Sequence, residues 1–102
     1  MKISEKIADY IAQEKTFYSF EFFPPKTDFG RDNLYSRIDR MASLHPAYID
    51  VTWGAGGSTA DKTLEMCKTI QKYFGLEVMM HLTCTNMAES SIKNILTEAK
   101  ES

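Results

Sequence analysis

The chain has 102 residues, of which 43% are hydrophobic and 25% are charged, and this composition favours one globular domain over a disordered chain. The 12 basic and 14 acidic residues give a net charge of -2, which argues against a dedicated nucleic-acid-binding protein. No apolar run approaches the roughly 18 residues of a membrane span, and the N-terminus is interrupted by acids, unlike a signal peptide.

Helices and strands are predicted to alternate along the chain. Isoleucines at every fourth position predict a leading helix over about Ser4–Lys15. The aromatic run TFYSFEFF predicts a first strand over Thr16–Phe23, which Pro24 and Pro25 end. The remaining predicted elements are a helix over about Asp32–Leu44, a strand over Ala47–Trp53, a helix that ends at Gly75, a strand over Glu77–Thr83 and a C-terminal helix.

This order of one helix followed by three strand–helix units predicts a parallel sheet with right-handed crossovers. A complete (β/α)8 barrel needs about 250 residues. The pattern therefore indicates an α/β fold that is either the first three βα units of a TIM barrel, preceded by a short helix, or a very small open sheet. Periodicity alone leaves both open.

Each predicted strand has one apolar and one polar face, because successive strand side chains point to opposite sides. Glu21, Thr52, His81 and Thr83 lie on the polar faces toward the carboxyl ends of their strands. Parallel folds place their sites at these ends, so the convergence of three segments indicates a functional site. By itself, a strand-end glutamate such as Glu21 is more often solvated than catalytic, and a lone His81 or Thr52 is more often structural. Asp50, deeper in its strand, is interpreted as structural.

Glu21 is the strongest candidate for acid–base chemistry. Phe20, Phe22 and Phe23 surround it in the sequence. Partial desolvation by these rings would favour the protonated form of the Glu21 carboxyl group, which suits a general acid.

Other candidate motifs are weaker. Gly54, Gly56 and Gly57 precede a helix and would let backbone N–H groups approach a phosphate, but the spacing matches neither GxGxxG nor a P-loop. His81 and Cys84 are too few ligands for a closed zinc site, so no metal is expected. Two cysteines in apolar patterns form no disulfide framework, which suits a reducing, cytoplasmic location.

Three motifs resemble the first three strand ends of methylenetetrahydrofolate reductases: SFEFFPPK at 19–26, DVTWG at 50–54 and HLTC at 81–84. The resemblance covers about residues 16–102. It implies an FAD-containing (β/α)8 barrel in which NAD(P)H reduces the flavin. The reduced flavin then converts 5,10-methylenetetrahydrofolate to 5-methyltetrahydrofolate in a ping-pong scheme.

The resemblance also implies roles for individual residues. Glu21 matches the general acid that helps to open the imidazolidine ring of the folate. Lys26 stands where the family often has arginine, and Trp53 is similar to the eukaryotic branch. The implied flavin contacts are Thr52, Trp53, Ala55 and His81, and the implied border of the NAD(P) site is Glu21, Phe22, Phe23, Pro24, Pro25 and Lys26.

By the same resemblance, the partners are a folate and a nicotinamide nucleotide, without nucleic acid or membrane, in a cytoplasmic homo-oligomer. Residues 1–102 are then expected to be the N-terminal part of one catalytic domain and to be inactive alone, because the family's Arg-Gly-Asp segment and later strands are not in this sequence. Two alternatives stay open. One is a phosphate-handling barrel such as a lyase or aldolase, and the other is a non-catalytic α/β module that self-associates through open sheet edges.

Overall fold

A computed structural model of the chain describes residues 1–53, 60–85 and 87–102. Helices and strands alternate in the predicted order. The elements are α1 (Ile3–Ala12), β1 (Ser19–Phe22), α2 (Asp28–Ala42), β2 (Tyr48–Val51), α3 (Ala60–Tyr73), β3 (Val78–Met80) and α4 (Glu89–Glu101).

The three strands form a parallel sheet in the order β1-β2-β3, which confirms the predicted α/β class. The strands are shorter than predicted, but backbone pairing continues past two of their ends. The Thr52 N–H donates to the Phe22 carbonyl, and the His81 N–H donates to the Val51 carbonyl, each at 2.9 Å. Thr52 and His81 are therefore fixed at the carboxyl edge of the sheet. Closure of this sheet into a barrel stays a prediction.

The hydrophobic core lies between one face of the sheet and the helices. Ile49 and Val51 of β2 are fully buried, together with Ile38 of α2 and Ile70 of α3. A second cluster joins Trp53, Leu64 and Ile95 and brings α4 onto the sheet, with Met80 packed against both clusters. The opposite face holds half-buried or exposed residues: Ser19, Glu21, Tyr48, Asp50 and Met79. The predicted alternation of faces is therefore confirmed.

Two helix ends show why one predicted boundary agrees with the structure and another does not. Gly75 has φ of 66°, a left-handed conformation that glycine adopts without strain, and it follows α3 closely, as predicted. By contrast, α2 begins at Asp28 rather than at Asp32. The Thr27 side chain accepts a hydrogen bond from the Gly30 N–H at 3.0 Å and caps the helix there.

The same cap fixes the turn that leaves β1. A Cβ atom added to Gly30 would lie 3.0 Å from Pro25 Cβ and 3.0 Å from Thr27 Oγ1. The first turn of α2 therefore packs directly on Pro25, and a glycine at this position permits the contact. The proline pair that follows Glu21 is in this way held by the start of the next helix.

The leading helix α1 has no buried residue, although its isoleucine spacing predicted it correctly. The amino group of Met1 lies 3.7 Å from the Glu77 carboxylate, just before β3. The ring of Tyr10 contacts the ring of Phe17 with centroids 5.5 Å apart. The start of α1 therefore lies at the amino end of β3, away from the edge that carries His81. Among the described helices, none has both the length and the apolar composition that a membrane span requires.

We expect Thr27→Ala to lower the free energy of unfolding by about 1 kcal/mol, because the Gly30 N–H loses its capping partner. Thr27→Ser keeps a capping oxygen and is the matched control. Urea unfolding followed by circular dichroism measures both variants. Equal destabilisation by serine and alanine would show that the methyl group of Thr27 matters and that the cap does not.

The two cysteines are expected to differ sharply in reactivity. Cys67 is buried in the core, and burial raises the pKa of its thiol to about 12, whereas Cys84 is exposed. A maleimide at neutral pH should label Cys84 in the folded chain and should reach Cys67 only in denaturant. Mass spectrometry of the labelled peptides measures this, and rapid native labelling of Cys67 would contradict the described core.

Candidate active site

The open face of the sheet carries a cluster of three ionisable side chains from three segments. Glu21 and Asp50 are register partners on neighbouring strands, so both side chains lie on the same face. Asp50 is aligned in turn with Met79, and His81 lies two positions after Met79. The alternation of β3 therefore brings the imidazole to the two carboxylates.

One imidazole faces both acids. His81 Nδ1 lies 3.8 Å from Glu21 Oε1, and His81 Nε2 lies 3.9 Å from Asp50 Oδ2. Glu21 and His81, which the sequence predicted to meet, are brought together. No set of described residues is arranged to hold a metal ion, and this cluster has the composition of an acid–base site.

Burial is uneven across the cluster. The Asp50 side chain is 15% exposed, whereas those of His81 and Glu21 are 37% and 50% exposed. Burial raises the pKa of Asp50, the nearby His81 opposes this increase, and the negative charge of Glu21 adds to it. Asp50 Oδ1 is buried and has no hydrogen-bond partner among the described residues. Asp50 is therefore a partly desolvated acid with a free acceptor.

The predicted desolvation of Glu21 by its neighbouring phenylalanines is wrong. Phe20 and Phe22 point to the helix-covered face, and Phe23 is 76% exposed. Residues adjacent in a strand point away from each other, so sequence neighbours cannot bury Glu21. The desolvated acid is instead Asp50, which the sequence interpretation treated as structural. Its own strand carried no signal for this, because Asp50 is buried by the strands that flank β2 on both sides.

The predicted flavin contacts on the second strand lie on different sides of the sheet. Thr52 is half-buried, and alternation places it on the side of Asp50. Its carbonyl accepts a hydrogen bond from Thr63 Oγ1 at 3.3 Å, which holds α3 to the strand end. Trp53 is on the opposite side, with its indole packed against Leu64. The structure therefore groups Thr52 with His81 and separates the Trp53 side chain from them.

Two further polar atoms near the strand ends are buried. Thr83 Oγ1 and Trp53 Nε1 have no hydrogen-bond partner among the described residues. Ala55 and the glycines at 54, 56 and 57 lie outside the described residues, so their predicted roles have no structural account here.

The proline turn lies between the sheet edge and the helices. Phe22 is buried on the helix side, Pro24 and Pro25 are half-buried, and Lys26 is exposed. Lys62 Nζ of α3 donates to the Lys26 carbonyl at 3.5 Å. A cavity of 210 Å³ lies behind the prolines, between the starts of α2 and α3, lined by residues that include Arg31 and Lys62. The predicted nucleotide border therefore lies on two faces, with only Glu21 in the acid–base cluster.

The family model and the related proteins that match this chain all belong to one enzyme family. The family model described as "Methylenetetrahydrofolate reductase" matches residues 6–102. A rice protein (Oryza sativa subsp. japonica) named "Probable methylenetetrahydrofolate reductase (NADH)" is 53% identical over 100 residues, covering 98% of the chain and 17% of the relative. "Methylenetetrahydrofolate reductase 1" of Schizosaccharomyces pombe is 49% identical over 102 residues, covering 99% of the chain and 17% of the relative.

A bacterial relative matches a shorter region. "5,10-Methylenetetrahydrofolate reductase" of Pectobacterium carotovorum is 42% identical over 84 residues, covering 82% of the chain and 28% of that relative. The chain therefore spans less than a third of each of these relatives.

We expect Asp50→Asn to stabilise the chain at about pH 7 and to have little effect at about pH 3. Because the pKa of Asp50 is raised above its ordinary value of 3.8, the folded state binds this proton more tightly than the unfolded state. The stability that Asp50 contributes is therefore full below pH 3.8 and is lost as the pH rises through the raised pKa. Asparagine carries no charge and avoids this loss.

Thermal unfolding across this pH range measures the effect. Asp39→Asn is the matched control, since it removes one carboxylate from the exposed surface of α2. If Asp50→Asn is the less stable protein at neutral pH, attraction to His81 outweighs desolvation.

Proposed function

Since this chain belongs to the methylenetetrahydrofolate reductase family, we propose that its protein reduces 5,10-methylenetetrahydrofolate to 5-methyltetrahydrofolate with a nicotinamide nucleotide. The observation that carries this proposal is the contact of Glu21 with His81 at the carboxyl edge of a parallel sheet. That edge is where parallel α/β folds bind substrates. The rice relative's name specifies NADH, which makes NADH the first reductant to test.

The sheet is proposed to be part of the wall of a (β/α)8 barrel. Its strands follow one another in chain order, its helices cover one face, and its other face carries polar groups toward one edge. A barrel wall needs this division, because helices surround the outside and the substrate enters at the carboxyl end of the strands. Residues 1–102 would then be the N-terminal part of one catalytic domain.

Glu21 is proposed as the general acid. Its side chain is half exposed at the sheet edge, so a substrate can reach it, and His81 Nδ1 is 3.8 Å away as a source of a replacement proton. Opening of the imidazolidine ring leaves a nitrogen that needs a proton, and a protonated carboxyl group at this position supplies it. A positioned general acid contributes about 10²- to 10⁴-fold to such a step.

The polar groups at this edge fit a flavin. A flavin ring presents carbonyl acceptors and an N–H donor on one side, and the edge offers complementary groups with unmet hydrogen-bonding capacity, Asp50 Oδ1 and Thr83 Oγ1. Thr52 and His81 would hold the FAD from the open face, and Trp53 would contribute through its backbone, since its side chain is packed against Leu64. Hydride relay between the nicotinamide and the folate is the chemistry that FAD supplies when bound.

The proline turn is proposed to border the nicotinamide nucleotide. Lys26 is exposed there, and Lys62 reaches the backbone of the same turn. A lysine gives a point charge where an arginine would give a two-pronged contact, so Lys26 is suited to attract a phosphate without fixing its orientation.

We expect Glu21→Gln, in the full-length reductase that carries this chain, to slow folate reduction about 10²- to 10⁴-fold while NADH still reduces the flavin. Glutamine keeps the shape of glutamate but cannot donate a carboxyl proton. Stopped-flow absorbance of the two half-reactions separates the effects, since loss of flavin absorbance reports reduction by NADH and its return reports transfer to the folate.

Glu77→Gln is the matched control. Glu77 comes just before β3, four residues from His81 and near Met1 rather than the cluster. Its substitution should leave both half-reactions at wild-type rates. Unchanged folate turnover in Glu21→Gln would remove Glu21 from the mechanism, and equal losses in both half-reactions would indicate a general defect in the site.

A further inference from the structure

We propose that Asp50 is a positioning residue that holds His81 by Nε2–H, so that Nδ1 of the same ring returns a proton to Glu21 after each turnover. The inference rests on the proposed function of Glu21 and extends it to a residue whose sequence pattern indicated only a structural role. It is carried by one geometric fact, which is that each nitrogen of a single imidazole faces a different carboxylate.

The unequal exposure of the two acids assigns the two nitrogens different tasks. Asp50 is 15% exposed and Glu21 is 50% exposed, so water screens the attraction between Nε2–H and Asp50 less than it screens the contact with Glu21. In a neutral imidazole, the hydrogen bond made by one nitrogen fixes which nitrogen carries the proton. Asp50 therefore keeps the proton on Nε2, and Nδ1 is left to exchange a proton with Glu21.

Each proton that leaves a group in the proposed cycle is replaced, and no redox step is needed. Glu21 gives its carboxyl proton to the substrate nitrogen and becomes a carboxylate. The imidazolium of His81 then transfers the Nδ1 proton to Glu21, which restores the carboxyl group and leaves a neutral ring with Nε2–H toward Asp50. His81 is 37% exposed, so it can take a new proton from water.

The distances are those of an open site. At 3.8 and 3.9 Å, both contacts are longer than a hydrogen bond. A movement of roughly 0.7 Å at the end of each side chain brings the pairs within reach, and catalytic hydrogen bonds often tighten only when substrate binds. Both pairs can close on the same ring because β1, β2 and the segment after β3 hold the three residues in register.

Other ionisable groups on this face of the described sheet are few. Tyr48 lies two residues before Asp50 on β2, toward the amino end. Glu77 lies four residues before His81 and is 3.7 Å from the amino group of Met1 at the start of α1. The nearest charges to His81 from the three strands are therefore Glu21 and Asp50. The loss of the Asp50 charge should directly change the protonation equilibrium of the His81 ring.

The test uses NMR of the 102-residue chain, which has two histidines. His45, exposed in the turn before β2, is an internal reference, and His45→Gln assigns the signals. Titration of the imidazole carbon-bound protons gives the pH midpoint of each ring, and ring ¹⁵N shifts give the nitrogen that carries the proton in the neutral form. The variants are Asp50→Asn and, as the matched control on exposed helix surface, Asp39→Asn.

We expect the neutral His81 of the wild type to carry its proton on Nε2. We expect Asp50→Asn to move the His81 midpoint to lower pH, because a negative charge near the imidazolium is lost, while His45 does not move. Asp39→Asn should move neither ring. A proton on Nδ1 in the wild type, or a His81 midpoint that Asp50→Asn leaves in place, would overturn the proposal.

The same substitution in the full-length reductase gives a second measurement that does not depend on the isolated chain. We expect Asp50→Asn to lower kcat for folate reduction, to leave KM unchanged and to move the alkaline limb of the pH profile to lower pH. An unchanged profile with a raised KM would show that Asp50 only shapes the pocket, and the proposal would fall. If Glu21→Gln instead leaves folate turnover intact, the proposed function fails, whatever the titration of His81 shows.

Discussion

The parallel register between β1 and β2 is the constraint on which this structure depends. It aligns Glu21 with Asp50 and Phe22 with Val51, so one face of the sheet receives the acids and the other receives the core. A shift of one residue in either strand would place an acid among the helices and an apolar side chain at the open edge. Burial of Ile49 and Val51 therefore stabilises the fold and orients the candidate site in the same step.

Much of this arrangement was predictable from the sequence because it depends on local patterns. Period-two alternation gave the faces of the strands, and Gly75 gave the end of α3. The exposure of Glu21 and the burial of Asp50 were not predictable in this way. Both are set by neighbours on other strands and by the covering helices, and a single strand read alone contains neither. The start of α2 differs from the prediction for a simpler reason, since apolar spacing predicts only the buried part of a helix and the Thr27 cap begins α2 one turn earlier.

Asp50 lowers the stability of the fold at neutral pH, although it is proposed to serve the chemistry of the cluster. A partly buried carboxylate such as Asp50 opposes folding at neutral pH, and a hydrophobic or amide side chain would remove that cost. The cost is acceptable in this fold because the face opposite Asp50 is densely packed, with Ile49, Val51 and Ile70 almost completely buried. Stability from one face of the sheet thus offsets an unfavourable charge on the other.

The close approach of Gly30 to Pro25 has a consequence for how this chain can be engineered or can diverge. Position 30 is on a helix and would ordinarily tolerate many side chains, yet any Cβ there pushes on the turn that follows the proposed acid. A replacement of exposed Lys26 would therefore act on a turn that the residue at position 30, in the first turn of α2, helps to hold in place. Sequence libraries built on this chain should therefore vary the first turn of α2 and the proline turn together, because a change in one displaces the other.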